Sequence, residues 1–363
     1  MISSSHTELN AKLRAVFEGA GYRRYKMSKF EEYDLYARNK DFLISENVLT
    51  FTDIDGKLMA LKPDVTLSIV KNNRESEGVE KVYYHENVYR ASGVGFREIA
   101  QAGLECIGEV DDYCVCEVLS LAAKSLIEIS PRCELDISHL GLLCEFLETA
   151  GLSESAKKRA IDLMGGKNRG ELEKLLHDEE ISEEITARIM ALSEFDSDVS
   201  DAPQKLREIL GGYVSEDRLN LFCETCEFLG DEFSGSVRAD FSTVGDLSYY
   251  SGIIFKGYID GIPTAVLSGG QYDGLMKKLK KPSRAIGFAL YLDMLEPLFE
   301  LSSEYDADAL LLYSDGHSPK EIYDAAKSLS ASGRSVSVQK STPKNMKFKE
   351  VFKLGEGGAV KVE

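Results

Sequence analysis

Residues 97–107 alternate with the period of two that marks a β-strand. Arg97, Ile99, Gln101, Gly103, Glu105 and Ile107 share one face, and Glu98, Ala100, Ala102, Leu104 and Cys106 share the other. From Ala100 to Cys106 the second face is small and apolar, suited to a covering helix. The first face carries an Arg, a Gln and a Glu, with a glycine between the last two. A glycine inside a strand often marks close approach of a ligand or of another backbone. Charges on that face require either a solvated cleft lined by a central strand or the wet side of an edge strand. With the run VYYHENVYR before it and a short Gly-rich loop between, the strand is the second arm of a hairpin over Val82–Gly108.

Upstream, Leu9, Leu13, Val16 and Phe17 form the apolar face of a helix. Ser5-x-x-Glu8 opens it as a capping box, and Gly19 and Gly21 close it. LTFTDI and KLMAL flank Asp55-Gly56, a strong hairpin signal. Pro63 keeps Lys62 out of helix, and Asp64 or Thr66 caps a helix running to about Lys71. After the central hairpin, VCEVLSLAAKSLIEI has helical spacing and CELDISHLGLL begins another unit, in which His139 caps or packs. From about Gly151 to Gly235 the chain is acidic and helical in period, broken by GGKNRG, SDVSDAP and LGG. Strand pattern returns near Val237, with a second hairpin signal at Asp260-Gly261. From about Leu301 come the strand ADALLLY, the helix SPKEIYDAAKSLSASG and the strand SVSVQ, with KEVFKLG and AVKVE as two further strands. The expected fold class is therefore α+β. Residues 1–300 form an antiparallel sheet flanked by helices, with a helical insertion at about 151–235, and residues 301–363 form a small α/β domain.

The totals fit a globular protein of 363 residues, with 43% hydrophobic and 29% charged positions. Acidic residues number 61 against 43 basic, a formal charge of -18, which argues against nucleic acid as the main partner. No apolar run reaches the ~20 residues of a membrane span, and no secretory signal is visible. The 7 cysteines, irregularly spaced, suit reduced thiols in a cytoplasm. Cys223-x-x-Cys226 lies in a helical pattern without a second Cys or His pair, so packing accounts for it and no metal is expected.

Several stretches together resemble a known family. Tyr89-Arg90, the loop, Phe96-Arg97-Glu98 and Gln101-Ala102-Gly103-Leu104-Glu105 look like motif 2 of class II aminoacyl-tRNA synthetases, in its histidyl variant. Leu61-Lys62-Pro63-Asp64-Val65-Thr66 is similar to the histidyl Leu-Arg-Pro-Glu-Gly-Thr. Residues 245–252 resemble Arg-Gly-Leu-Asp-Tyr-Tyr-Thr-Gly, and residues 269–275 resemble Gly-Gly-Arg-Tyr-Asp-Gly-Leu. The resemblance covers about residues 1–300. It implies a class II synthetase-like sheet and a pocket for free histidine built from Asp64, Thr66, Arg90, Gln101, Glu105, Tyr250 and Tyr272. It also implies a homodimer.

The same resemblance marks losses. The family's catalytic Arg is Gly245 here, the Arg that ends motif 3 is Met294, and the motif 2 loop is short and without a basic residue. Glycine and methionine supply neither charge nor bidentate hydrogen bonds to phosphates. The last 63 residues look like a curtailed anticodon-binding domain. A chain with a histidine pocket but without these groups resembles the synthetase-like regulatory subunits of ATP phosphoribosyltransferase. That implies a non-catalytic chain in a hetero-oligomer with a short catalytic subunit, active in histidine biosynthesis, mediating feedback by histidine, with no cofactor of its own and no tRNA. The alternatives are a histidine-tRNA ligase with unusual motifs and a synthetase-like amino-acid sensing or ligating protein.

Overall fold

In chain order the elements are α1 (Ser4–Gly19), β1 (Arg23–Arg24), β2 (Phe30–Glu32), α2 (Tyr33–Ala37), β3 (Thr50–Thr52), β4 (Leu58–Leu61), α3 (Thr66–Asn72), β5 (Val79–Ser92), β6 (Gly95–Gly108), α4 (Asp112–Ile129), β7 (Cys133–His139) and α5 (Leu140–Thr149). There follow α6 (Glu154–Gly165), α7 (Arg169–Asp178), α8 (Glu183–Ser193), β8 (Asp196–Asp198), α9 (Ala202–Leu210) and α10 (Glu216–Phe233). Next come β9 (Val237–Asp240), β10 (Ile253–Ile259), β11 (Leu267–Gln271), α11 (Asp273–Lys278) and β12 (Arg284–Tyr291). This computed structural model describes residues 4–39, 48–73, 78–92, 95–245, 249–300 and 305–362. Two compact units divide the chain, Met1–Leu295 and Glu296–Glu363.

Nine strands of the first unit form one sheet in the order β1-β5-β6-β12-β11-β10-β7-β9-β8. Its pairings are antiparallel except β1 with β5 and β7 with β9. The expected antiparallel core is present, and the two parallel pairings make the sheet as a whole mixed. Hairpin signals reveal only neighbours in sequence, whereas both parallel pairs join distant strands. The insertion is mostly helical, as expected, and its one short strand β8 pairs with β9 at the sheet edge. Strand β6 lies between β5 and β12, so its charged face is not that of an edge strand. Residues 101–107 of β6 are buried on both faces.

Local chemistry explains the elements around this strand. Asp111 caps α4 by accepting from Cys114 N–H at 2.9 Å, and Val118, Leu119, Ala122 and Leu126 are buried. Gly257 on β10 lets α4 approach closely, since a β-carbon there would lie 2.6 Å from Leu126 Cδ1. Helix α1 buries Leu9, Leu13 and Phe17, as its spacing predicts, but it already includes Ser4 and Ser5, so Ser5 is not its N-cap. The Asp55-Gly56 signal does mark a hairpin. Asp53 Oδ1 accepts from the N–H of Asp55 and of Lys57 at 2.9 and 2.8 Å, and Gly56 takes φ of 81°. That hairpin belongs to a separate sheet, β2-β4-β3. Cys223 and Cys226 are both buried on α10.

The second unit contains α12 (Glu296–Glu300), β13 (Ala307–Leu312), α13 (Pro319–Ser330), β14 (Val336–Gln339), β15 (Phe348–Gly355) and β16 (Gly358–Lys361). Its sheet has the order β14-β13-β15-β16, with β13 parallel to both neighbours and β16 antiparallel to β15. Ser318 and Glu321 form a capping box on α13, and Ala309, Leu311, Ala325, Phe352 and Leu354 make the core. Among the described residues no helix is long and apolar enough to cross a membrane.

Candidate functional site

Gln101 and Glu105 project from the same face of β6, with Gly103 between them. Strand register puts Tyr84 of β5 directly opposite Gly103. The Tyr84 ring crosses the glycine: a β-carbon at 103 would lie 2.5 Å from Tyr84 Oη and 2.2 Å from Phe288 O. Of the two readings of Gly103, close approach of a ligand or of another backbone, the structure has the second, with the Tyr84 ring over the glycine and the β12 backbone beside it. On the other side, β12 sets Gly287 opposite Glu105 and Tyr291 opposite Gln101. Gly287 makes room for the carboxyl, since a β-carbon there would meet Glu105 Oε2 at 1.9 Å.

Four further segments complete the site. Asp64 and Thr66 come from the start of α3, Arg90 from β5, Tyr272 from the end of β11, and Tyr250 from the approach to β10. Of the two candidate caps it is Asp64, just before the N-cap position Val65, whose side chain accepts from Leu67 N–H in the first turn of α3 at 2.8 Å. Asp64, Thr66, Arg90, Gln101, Glu105, Tyr250 and Tyr272 all line one cavity of about 280 Å³. That is near the lower end of small-molecule pockets, ~300 Å³. Tyr249, within the resembling stretch 245–252, also lines it, as do Tyr84 and Tyr291, which escape the sequence analysis. For Tyr84 a signal existed: an aromatic directly opposite a strand glycine commonly covers it.

The cavity is lined by ionisable groups held out of solvent. Glu105 is 1% exposed; Oε1 accepts from Thr66 Oγ1 at 2.6 Å and Oε2 from Tyr272 Oη at 2.5 Å. Burial pushes its pKa up to about 8, against the pull of those two hydrogen bonds. Burial also raises Asp64, opposed by the Arg90 guanidinium at 3.9 Å and the Leu67 N–H. Arg90 Nε donates to Pro63 O at 2.9 Å. Gln101 is 2% exposed, and its Nε2 has no hydrogen-bond acceptor among the described residues. An orphaned buried amide costs ~1–3 kcal/mol, which a ligand acceptor would recover. Two carboxyls, an amide and a guanidinium between tyrosines suit a small ligand with a cationic end, an anionic end and a ring.

The positions flanking this cavity differ in kind. Gly245 abuts Tyr250: a β-carbon there would lie 2.7 Å from Tyr250 Cδ2, so any side chain would require the ring to move. Met294 lies in a short 3-10 turn, Leu292–Leu295, with Sδ 3.7 Å from Thr264 Oγ1. Lys62 is fully buried against Glu86, Nζ to Oε2 2.9 Å, and does not line the cavity. Arg97 is exposed, opposite Arg90 in the hairpin. Asp246, Leu247 and Ser248 of the pocket stretch and residues 93–94 of the loop lie outside the described residues.

Comparison with known proteins gives a consistent result. The histidyl-tRNA synthetase family profile matches residues 3–295. An ATP phosphoribosyltransferase regulatory subunit of Symbiobacterium thermophilum is 29% identical over 343 residues, covering 91% of this chain and 86% of that protein. A histidine–tRNA ligase of Methanocaldococcus jannaschii is 30% identical over 292 residues, covering 78% and 69%. A Bacillus halodurans structure described as an ATP phosphoribosyltransferase regulatory subunit/histidyl-tRNA synthetase superposes with a TM-score of 0.76 at 22% identity, covering 96% of this chain and 93% of that one.

Proposed function

The chain belongs to the histidyl-tRNA synthetase family, and on that premise we propose that it is a regulatory subunit of ATP phosphoribosyltransferase without catalysis of its own. One observation carries the reading. One cavity keeps both carboxyls, Asp64 and Glu105, and the Gln101 amide, while glycine and methionine stand at 245 and 294, where the synthetase motifs that this chain resembles carry arginines. Adenylate formation moves charge onto phosphate oxygens, and removing one preorganised contact to such charge costs ~10²–10³ in rate. Loss of two leaves the amino-acid pocket without the chemistry.

The ligand of that pocket is free histidine. Asp64 and Glu105 attract its ammonium and imidazole, Arg90 and the unpaired Gln101 Nε2 take its carboxylate, and Tyr250 and Tyr272 wall the ring. The partner is a short catalytic subunit, and the chain forms a homodimer within the larger assembly. The regulatory subunit from Symbiobacterium supports this role, since its similarity runs along 91% of the chain.

The test is phosphoribosyltransferase turnover by a short catalytic subunit, with and without this chain and with and without histidine. The chain should raise turnover, and histidine should lower it only when the chain is present. Unchanged turnover would overturn the role. The histidine–tRNA ligase of Methanocaldococcus favours a second reading, an active synthetase. Histidine-dependent ATP–pyrophosphate exchange at ~1 s⁻¹ or faster would establish that reading instead.

A further inference from the structure

A second cavity, of about 520 Å³, shares no lining residue with the first. It lies between the first turns of α10 and one face of β7, β10 and β11. Ile253 pairs with His139, and the pairing of Ile254 with Gly270 brings Gln271 beside Ile253. Residues opposed in antiparallel strands point to the same face, so His139, Ile253 and Gln271 stand in a row. All three line this cavity.

His139 and Gln271 are 9% and 6% exposed, and each is anchored through its acceptor end. His139 Nδ1 accepts from Leu142 N–H at 3.1 Å, and Gln271 Oε1 accepts from Ile253 N–H at 2.8 Å. These anchors fix what the free ends present. With Nδ1 accepting, a neutral imidazole carries its proton on Nε2, and the glutamine presents its NH2. Burial and the nearby Arg218 hold the His139 pKa at about 4, so the ring is neutral. Neither free N–H end has a protein acceptor among the described residues. Both donors open onto the cavity and are free to bond an acceptor supplied from outside.

Charge at the rim narrows the ligand. Arg218 pairs with Glu145, and Arg284 with Asp273, whose other oxygen accepts from Ala285 N–H at 3.0 Å. Lys277 is exposed on α11 and makes no ion pair among the described residues. Asp112 and Asp217, in the first turns of α4 and α10, also line the cavity and oppose a highly charged anion. We propose that this cavity is a second binding site, for a small ligand presenting one oxyanion group, a carboxylate or a phosphate monoester, to His139 Nε2 and Gln271 Nε2 with Lys277 as the counter-charge.

Calorimetric titration of the full chain with acetate, inorganic phosphate and pyrophosphate tests this. Acetate or phosphate should bind saturably, pyrophosphate no tighter than phosphate, and the tighter of the first two identifies the oxyanion class. Lys277→Ala should weaken that binding about tenfold. His139→Asn should do the same, because Asn can keep the cap on α5 while losing the Nε2 donor. Histidine binding at the first pocket should stay unchanged in both variants, which separates a local effect from misfolding. Absence of saturable binding by acetate and phosphate up to about 20 mM, tighter binding of pyrophosphate, or wild-type anion affinity in both variants would overturn the proposal.

Discussion

Glu105 couples the pocket to pH. Its pKa in the fold is about 8 against an ordinary value near 4.5, with burial as the main cause. Between those values the folded chain keeps a proton that the unfolded chain has released, so stability falls as pH rises through the window. Glu105→Gln keeps the shape and removes the titration. The melting temperature of the wild type should therefore drop between pH 6 and pH 8 relative to Glu105→Gln, and parallel pH profiles would show that Glu105 does not titrate there. A bound ammonium favours the carboxylate instead, so histidine binding should release protons, read as a dependence of calorimetric heat on buffer ionisation. Glu105→Ala removes a charged hydrogen bond of ~1.5–3 kcal/mol and should weaken histidine about ten- to a hundred-fold. Equal affinity in the variant would place histidine elsewhere. Gln101 and Glu105 were legible because a period of two assigns faces directly. Tyr291 was not, since it joins the site through cross-strand register between β6 and the distant β12, and Tyr84 becomes readable only once the register of the β5–β6 hairpin is fixed.

At the scale of elements, β6 is the member that both the sheet and the cavity depend on. Its polar face is tolerable only because glycines on β6 and β12 make room, Gly103 for the Tyr84 ring and Gly287 for the Glu105 carboxyl. Gly103→Ala would set a methyl against Phe288 O, a backbone atom of the adjacent strand, as well as against Tyr84. Overpacking of this kind should cost ~1–3 kcal/mol in urea unfolding. A loss below ~0.5 kcal/mol would mean that β5 and β12 shift freely, and that the glycine is not what holds Tyr84 in place. The hairpins, α3 with its Asp64 cap and α4 were readable because each announces itself within a few residues. The pairs β1–β5 and β7–β9, and the short β8, were not, because a strand of two to four residues carries too little pattern and its partner lies far away in sequence.

At the scale of the whole molecule, the regulation proposed here is a free-energy coupling between the proposed histidine pocket and a partner surface, and it has a consequence that does not depend on where that surface lies. If bound histidine changes the equilibrium between productive and unproductive assemblies, then engagement of the catalytic subunit must change histidine affinity by the same factor. A coupling of ~1–3 kcal/mol corresponds to about 5–150-fold. Histidine should therefore bind this chain alone and the saturated complex with dissociation constants that differ by at least about fivefold, in calorimetry under matched buffer and temperature. A chain that still assembles but carries Glu105→Ala should activate the catalytic subunit as the wild type does while losing inhibition by histidine, because that substitution weakens the ligand and leaves the assembly intact. The two measurements check each other. Equal histidine affinity with and without the partner, together with inhibition that survives Glu105→Ala, would locate the feedback signal outside this cavity and leave the chain an activator only.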